Sequence, residues 1–448
     1  MADGRRRIAV IGGGWAGCAA AVELARNGGK VTLFEAARTL GGRARQVKLD
    51  GQMLDNGQHI LLGAYSETLR MLRQVGIDPN AALLRLPLQM RYPPATDGIE
   101  FIAPRLPAPL HLLLALWRAR GLARGDKLAL ARFFSAARWM EWQLNADCSV
   151  AELLLRFEQT PRLIQLLWQP LCIAALNTPP ERASARIFLR VLGDSLGARR
   201  AASDMLLPRL DLTSLFPQQA AMFIENRGGT VLRGVRVRKI EQDADGWQIE
   251  GMPFDAVVVA TQASHAAALL DGLSDTGMLN ALAHEAITTC YLRYGAGVRL
   301  VQPFFALRDE PACGKWGQYV FDRGQLDETQ QGLLAVVVSV SDAAIAIGQQ
   351  ALSAAIAAQL ANELQRPELA TPEWTKVVSE RRATFACMPL LARPDNSTGI
   401  DQLVLAGDYT RSDYPATLEA AVRSGVNAAR LLLNLPSPRQ YRVHESCA

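Results

Sequence analysis

Short apolar runs set between turn residues recur along this chain. The first, Ile8-Ala9-Val10-Ile11, is followed at once by glycines. A run so brief and so uniformly apolar predicts a strand buried on both faces, as in a parallel sheet. Cys18 to Arg26 is alanine-rich and predicts a helix, and Val31-Thr32-Leu33-Phe34 predicts a second strand ending in Glu35. Downstream, Gly228-Gly229-Thr230-Val231 through Val237-Arg238-Lys239-Ile240, then Gly246-Trp247-Gln248-Ile249, read as strands joined by turns. Phe254 to Thr261 is another buried-strand run with polar bounds, and Leu403-Val404-Leu405 is a strand that leads into a loop.

Between these runs the pattern is coarser. Leu106 to Trp117 is largely apolar and is followed by Arg118, Arg120, Arg124, Lys127, Arg132 and Arg138. The stretch is too short to span a bilayer. Apolar bulk, a tryptophan and flanking arginines suit a helix lying in a membrane interface, its arginines at lipid phosphates. A buried helix with solvated arginines on its outer face has the same pattern, and both readings stay open. Leu163 to Leu176, interrupted by Pro170, predicts helix packing or the lining of an apolar tunnel.

The loop after the first strand, Gly12-Gly13-Gly14-Trp15-Ala16-Gly17, adds chemistry. Gly12 makes the tight turn, Gly14 lets the backbone approach a pyrophosphate, and Gly17 lets the helix pack on the sheet. Trp15 and Ala16 open that helix, whose N–H groups and positive dipole end face the phosphates. Glu35, with Ala36 beside it, ends the second strand eighteen residues after Gly17 and suits a bidentate grip on a ribose diol. Strand, loop, helix, strand and carboxylate together predict dinucleotide binding.

Composition narrows the class. At 448 residues the chain is too long for one simple core and suits two interleaved domains. Its net charge of +5 comes with no basic–aromatic stacking motif, so no nucleic acid partner is expected. The seven cysteines (18, 148, 172, 290, 313, 387 and 447) show no metal-ligand spacing, so no metal is expected. Met1 to Arg7 is polar and basic and leads straight into the first strand, which argues against a signal peptide. A cytoplasmic location is expected, with a peripheral position at the inner face of the cytoplasmic membrane as the variant. No second G-x-G-x-x-G is present, so no built-in NAD(P) domain is expected.

Three further blocks carry a family resemblance. Arg38-Thr39-Leu40-Gly41-Gly42-Arg43-Ala44 resembles the R-x-G-G-R/K segment of the flavin amine oxidase and phytoene desaturase superfamily. The resemblance implies FAD, with Gly42 close to the flavin and Arg43 on the diphosphate. Asp55-Asn56-Gly57-Gln58-His59-Ile60-Leu61-Leu62-Gly63-Ala64-Tyr65 resembles the D-x-G-x-H-I-x-x-G-A-Y stretch of plant-type phytoene desaturases and bacterial hydroxysqualene dehydroxylases. It implies that Gly57, Gln58 and His59 lie along the isoalloxazine, His59 with a pKa suited to proton handling. Ala406-Gly407-Asp408-Tyr409-Thr410, followed by Tyr414-Pro415-Ala416-Thr417-Leu418-Glu419, matches the superfamily's second flavin loop. There Gly407 and Asp408 would meet the ribityl chain, and backbone N–H groups at Thr417 and Leu418 would face the flavin pyrimidine. By the same resemblance Val237 pairs its backbone with adenine.

Trp316 to Arg323 is similar to a stretch recurrent in hydroxysqualene dehydroxylases and offers an aromatic wall able to stabilise a carbocation. Over its whole length the chain resembles the squalene-associated FAD-dependent desaturase family. The fold class this implies is α/β: a Rossmann-like FAD-binding domain of the amine oxidase and phytoene desaturase type, with an interleaved α+β substrate domain. FAD-binding parts are expected at 1–85, 216–275 and 393–435, substrate parts at 86–215 and 276–392, and a tail at 436–448. The implied reaction is reductive removal of the allylic hydroxyl of hydroxysqualene, giving squalene for hopanoid synthesis, with hydride passing from reduced FAD to an allylic cation. A polyisoprenoid substrate and an external electron donor are the implied partners.

His59 is the leading candidate for the acid, with Tyr414 and Asp322 as alternatives. Three other activities stay open: a carotenoid desaturase, which shares nearly every cofactor motif; an amine oxidase; and a non-catalytic prenyl-lipid carrier. The surroundings of Lys315 do not match the flavin-proximal lysine of amine oxidases, and the intact set of Glu35, Arg43 and Asp408 argues against a carrier.

Overall fold

Strands from both ends of the chain meet in one sheet. The computed structural model describes residues 5–244 and 246–434; the expected tail at 436–448, with Cys447, lies outside the described residues. Five parallel strands stand in the order Thr230–Arg233, Lys30–Glu35, Arg7–Ile11, Ala256–Val259 and Leu403–Leu405. Val10 lies between Leu33 and Val258, and Val258 pairs onward with Val404. Ala256 to Val259 is fully buried, as a strand covered on both faces must be, which is why its residues are apolar without alternation.

The helix Trp15–Arg26 is buried from Trp15 to Ala25. Its alanines let the sheet, the helix Pro217–Glu225 and the helix Leu418–Leu432 approach closely. At Gly425 the approach reaches the backbone: a Cβ there would stand 2.1 Å from the Ala16 carbonyl oxygen. Glu23, buried in the same helix, is met by Arg26 at 3.9 Å, Arg70 at 3.3 Å and Arg430 at 3.7 Å.

A second, antiparallel sheet runs Phe304–Ala306, Tyr319–Asp322, Leu333–Ser339, His284–Arg293, Trp374–Phe385. Its alternation sorts two cores. Cys290, Leu292 and Val336 pack with Ile356 and Leu360 of the helix Gln349–Leu364, while Tyr291, Ala335 and Phe321 face Leu54 and Leu207. The remaining layer is helical, with Leu110–Arg118, Arg124–Trp139, Gln169–Leu176 and Ala185–Ser195 grouped around Trp168, whose ring centroid is 4.6 Å from Phe133 and 6.1 Å from Phe188. Pro170 does not break its segment. A π-helical turn, Ile164–Trp168, runs directly into Gln169–Leu176, and the Leu166 carbonyl, four residues before the proline, accepts from the Tyr92 hydroxyl at 3.1 Å in place of the missing N–H.

One expectation for the first sheet is corrected. The Thr230–Arg233 strand stops at Gly234, whose φ is +75°, and residues 235–240 form no strand. There the chain leaves the sheet edge, with Val235 N–H donating to the Glu35 carbonyl at 3.0 Å. Pairing resumes only in a small antiparallel sheet of Glu241–Asp243, Gly246–Ile249 and Met252–Phe254.

Candidate active site

The carboxyl ends of the Arg7–Ile11 and Lys30–Glu35 strands open onto a cavity of about 770 Å³, the position at which open α/β sheets take ligands. Gly12, at φ +111°, turns the chain; a Cβ on it would lie 2.5 Å from the Ala260 carbonyl oxygen, and one on Gly17 would lie 1.9 Å from the Gly12 oxygen. These two glycines are fixed by packing. Gly14 differs. The nearest atom to a Cβ there is the Gly42 Cα at 3.8 Å, so the missing side chain leaves open the cradle that Gly14, Trp15 and Ala16 line. Gly14 is the N-cap of the helix and supplies no side-chain cap, so the first turn's N–H groups and positive end are left to a ligand.

Glu35 borders the same cavity. Its carboxylate accepts the Gly13 and Ala37 N–H groups, both at 2.7 Å, and so is aimed before any ribose arrives. The second glycine pair is tied to the first loop by Gly41 N–H donating to the Gly13 carbonyl at 2.8 Å. Gly42, Arg43, Gly57, Gln58, His59, Val237, Gly407, Asp408, Thr417 and Leu418 all line the cavity, as do Gly12 and Ala36. Arg43 and Asp408 are paired at 2.6 Å, and the second Arg43 nitrogen donates to the Ala383 carbonyl at 2.6 Å. Thr417 caps the Leu418–Leu432 helix by accepting from Ala420 N–H at 3.1 Å.

Gln58 is held from two sides, donating to the Tyr291 hydroxyl at 2.9 Å and accepting from Arg323 at 3.0 Å. Tyr291 donates onward to the Asp55 carbonyl at 2.7 Å. The Asp55 carboxyl is buried and pushed up to about 6, the loss of water outweighing its bond from Leu212 N–H and the nearby Arg323 charge.

The two other expected acids are placed differently: His59 lines the cavity and Asp322 does not. His59 reaches only the Gly57 carbonyl, at 3.4 Å. Loss of solvent, aided by the Arg43 charge and opposed by the Gly57 carbonyl, pushes it down to about 4, which favours the neutral imidazole. Asp322 does not line the cavity. Its Oδ2 accepts from Leu300 N–H and from Gln325, both at 2.8 Å, on the far face of its strand, because Tyr319 and Phe321 take the cavity face by alternation. Trp316 also stays off the wall, and Lys315 is occupied at 2.8 Å by Glu310.

Tyr414 does stand on the wall, and its hydroxyl donates to the carboxylate of Asp194, which the sequence did not single out. Arg190 binds the same carboxylate at 3.2 Å, and the Arg423 guanidinium sits 4.9 Å from the Tyr414 ring centroid. Burial first, with Asp194 adding to it against Arg423, pushes the Tyr414 phenol up to about 12. Asp194 ends the amphipathic helix Ala185–Ser195 four residues after Arg190, a spacing that reads as an ordinary surface pair. Beyond this pair the wall is mainly apolar, with Phe101, Leu112, Leu130, Phe134, Trp168 and Phe188 among its residues.

An open cradle at one helix start, a pre-aimed carboxylate and a second helix start at the other end fit the pyrophosphate, ribose and flavin of FAD. The model of the flavin containing amine oxidoreductase family matches residues 15–433. The chain is 29% identical to the hydroxysqualene dehydroxylase of Rhodopseudomonas palustris, over 96% of this chain and 98% of that one. It is 23% identical to a probable zeta-carotene desaturase of Synechococcus elongatus, over 95% and 98%. Its fold is that of an oxidoreductase from Methanosarcina mazei, with a TM-score of 0.70 at 14% identity over 95% of this chain and 100% of that one. The chain therefore belongs to the flavin containing amine oxidoreductase family and is an FAD-dependent oxidoreductase.

Proposed function

We propose that this oxidoreductase removes the allylic hydroxyl of hydroxysqualene reductively and releases squalene, the precursor of hopanoids. The observation that carries the reading is the Tyr414–Asp194 pair, flanked by Arg190 and Arg423, set in a largely apolar wall. A long hydrocarbon with one hydroxyl asks for apolar surface along its length and a proton donor at its oxygen. A carotenoid hydrocarbon has no use for the donor, so the pair favours dehydroxylation over desaturation. Similarity to the Rhodopseudomonas palustris dehydroxylase points the same way.

An allylic hydroxyl leaves when a proton reaches its oxygen: the C–O bond breaks, water departs, and a cation delocalised over the allylic carbons remains. Tyr414 gives that proton. Its phenol is protonated at neutral pH, its O–H turns from Asp194 to the substrate oxygen when substrate binds, and the tyrosinate left behind is met by the Arg423 and Arg190 cations, which act against the rise that burial and Asp194 impose. Tyr319 and Phe321 line the cavity and offer aromatic rings that attract the cation, and the apolar wall keeps water from capturing it. Bound and reduced, FAD supplies the hydride that completes the product.

On this reading FAD is held by Gly12, Gly14, Trp15, Ala16, Glu35 and Ala36 at the adenosine and pyrophosphate end, with Val237 at the adenine, while Gly17, which does not line the cavity, serves by letting the helix pack. Gly42, Arg43, Gly57, Gln58, His59, Gly407, Asp408, Thr417 and Leu418 hold the flavin half. An external electron donor restores reduced flavin, and the enzyme works in the cytoplasm, peripheral to the inner face of the membrane.

The test is an anaerobic single turnover. Flavin on the holoenzyme is reduced, hydroxysqualene is added, the visible flavin band is followed, and the lipid is identified by mass spectrometry. Reoxidation with stoichiometric squalene is the expected result. Flavin that stays reduced over unchanged substrate overturns the reading and directs the search to oxidised enzyme and phytoene-type hydrocarbons.

A further inference from the structure

The helices Leu110–Arg118 and Arg124–Trp139 each have two apolar sides. Inward, Leu112 of the first and Leu130 and Phe134 of the second line the cavity. Outward, Leu110, Leu113 and Trp117 fall at i, i+3 and i+7 of the first helix and are 54%, 57% and 73% exposed. Leu128 and Trp139 of the second are 65% and 87% exposed. Lys127 ties the two helices by donating to the Trp117 carbonyl at 2.8 Å.

Charge says what covers this face. From Leu110 to Trp139 the chain carries Arg118, Arg120, Arg124, Lys127, Arg132 and Arg138 against one carboxylate, Asp126. Asp126 is buried, accepting from Ala123 N–H at 2.9 Å and the Thr160 hydroxyl at 2.6 Å, so it is turned away from the outer surface and the segment stays net positive. Arg132 is the one cation of the six with an ion pair, to Glu158 at 3.6 Å, among the described residues. The whole chain is only +5, so its positive excess is concentrated here. No helix among the described residues is long and apolar enough to cross a membrane.

We propose that these two helices dock the enzyme on an anionic lipid bilayer and that the cavity loads its substrate through them. Leucines and tryptophans enter the acyl boundary, the arginines meet lipid phosphates, and a polyisoprenoid passes from the outer to the inner apolar side of the same helices without crossing water. The loading half of this inference rests on the polyisoprenoid reading above; the docking half does not.

Holoenzyme is sedimented with vesicles of phosphatidylcholine alone and with equal parts of phosphatidylcholine and phosphatidylglycerol. Wild type binds the anionic vesicles. The Leu113→Ser, Trp117→Ser double variant, altered only at exposed positions, loses about tenfold or more in partitioning, and Arg118→Glu with Arg124→Glu does likewise. Val301→Ser, at an 87% exposed position on another surface, changes nothing. Wild type that ignores both vesicles, or a serine variant that binds like wild type, overturns the docking surface. A wild-type dimer in solution that the serine variant dissociates, without vesicle binding, assigns the face to a second copy and also overturns it.

Turnover of hydroxysqualene embedded in vesicles falls in the serine variant while turnover from detergent micelles is kept. Equal loss in both overturns the loading role. Vesicle binding by a wild type that turns over hydroxysqualene in neither leaves the docking surface standing and rejects the substrate.

Discussion

Arg43 and Asp408, 365 residues apart in sequence, form a 2.6 Å ion pair on the wall of the cavity. Arg43 was expected at the diphosphate and Asp408 at the ribityl chain; the ion pair holds the two side chains in place against each other on one wall. Their side chains are 27% and 9% exposed, so the pair is only partly screened. Asp408→Ala leaves the arginine uncompensated, and we expect a loss of about 2 kcal/mol in unfolding free energy after allowance for that screening. We also expect FAD to bind more than about tenfold more weakly. Fluorescence titration of flavin into stripped protein reads the second effect, and full occupancy in the variant contradicts it.

The two outer glycines of the first loop and Gly14 separate fold from ligand. Gly17→Ala drives a Cβ to 1.9 Å from backbone, so little folded protein is expected. Gly14→Ala meets nothing nearer than 3.8 Å and fills the cradle. It is expected to melt as wild type without FAD and to bind FAD roughly ten to a hundred times more weakly. Equal FAD affinity in Gly14→Ala removes the pyrophosphate from this position.

Proton delivery divides Tyr414 from His59. Tyr414→Phe deletes the hydroxyl held by Asp194, and the single-turnover rate is expected to fall by about a hundredfold or more with flavin still bound. His59, pushed down to about 4, carries no proton to give at neutral pH. His59→Gln should therefore keep the shape of the wild-type rate profile between about pH 6 and 8. A wild-type inflection near pH 6.5 that His59→Gln abolishes would return the acid to histidine.

Asp55 predicts a pH dependence of stability. Its carboxyl is raised from 3.8 to about 6 by burial. Above the folded value the ionised group is a full penalty. As pH falls from about 6 toward 3.8 the folded protein takes up a proton that the unfolded chain does not yet hold, and the penalty shrinks. Asn keeps the oxygen that accepts from Leu212 N–H. Asp55→Asn is expected to stabilise the protein by roughly 1–3 kcal/mol at pH 7 and by almost nothing near pH 4, as urea unfolding at the two pH values will tell. A gain that is the same at both would mean the carboxyl is not the cause.

Local patterns were the legible part of this molecule. A strand, a glycine turn and a helix within twenty residues of one another leave their signature in the order of residues, so Gly12 to Glu35 could be read directly. Pairings made by the finished fold left none. Tyr414 meets Asp194 across 220 residues because the helix ending at Ser195 packs against the loop before Thr417. His59 carries the same letter whether solvated or buried, and only the surrounding fold decides its charge. Asp322 was different, since strict alternation along Tyr319, Phe321 and their neighbours already turns it away from them, and that signal was available.

Gly425 rests on the Ala16 backbone, and the strand Leu403–Leu405 closes the sheet beside Ala256–Val259. Until residues 403–432 are made, a growing chain has Gly42, Arg43, Gly57, Gln58 and His59 of the proposed flavin half but lacks Gly407, Asp408, Thr417 and Leu418. Over the same interval the Ala256–Val259 strand has an unpaired edge, and the half-built protein has to be kept from aggregating through it.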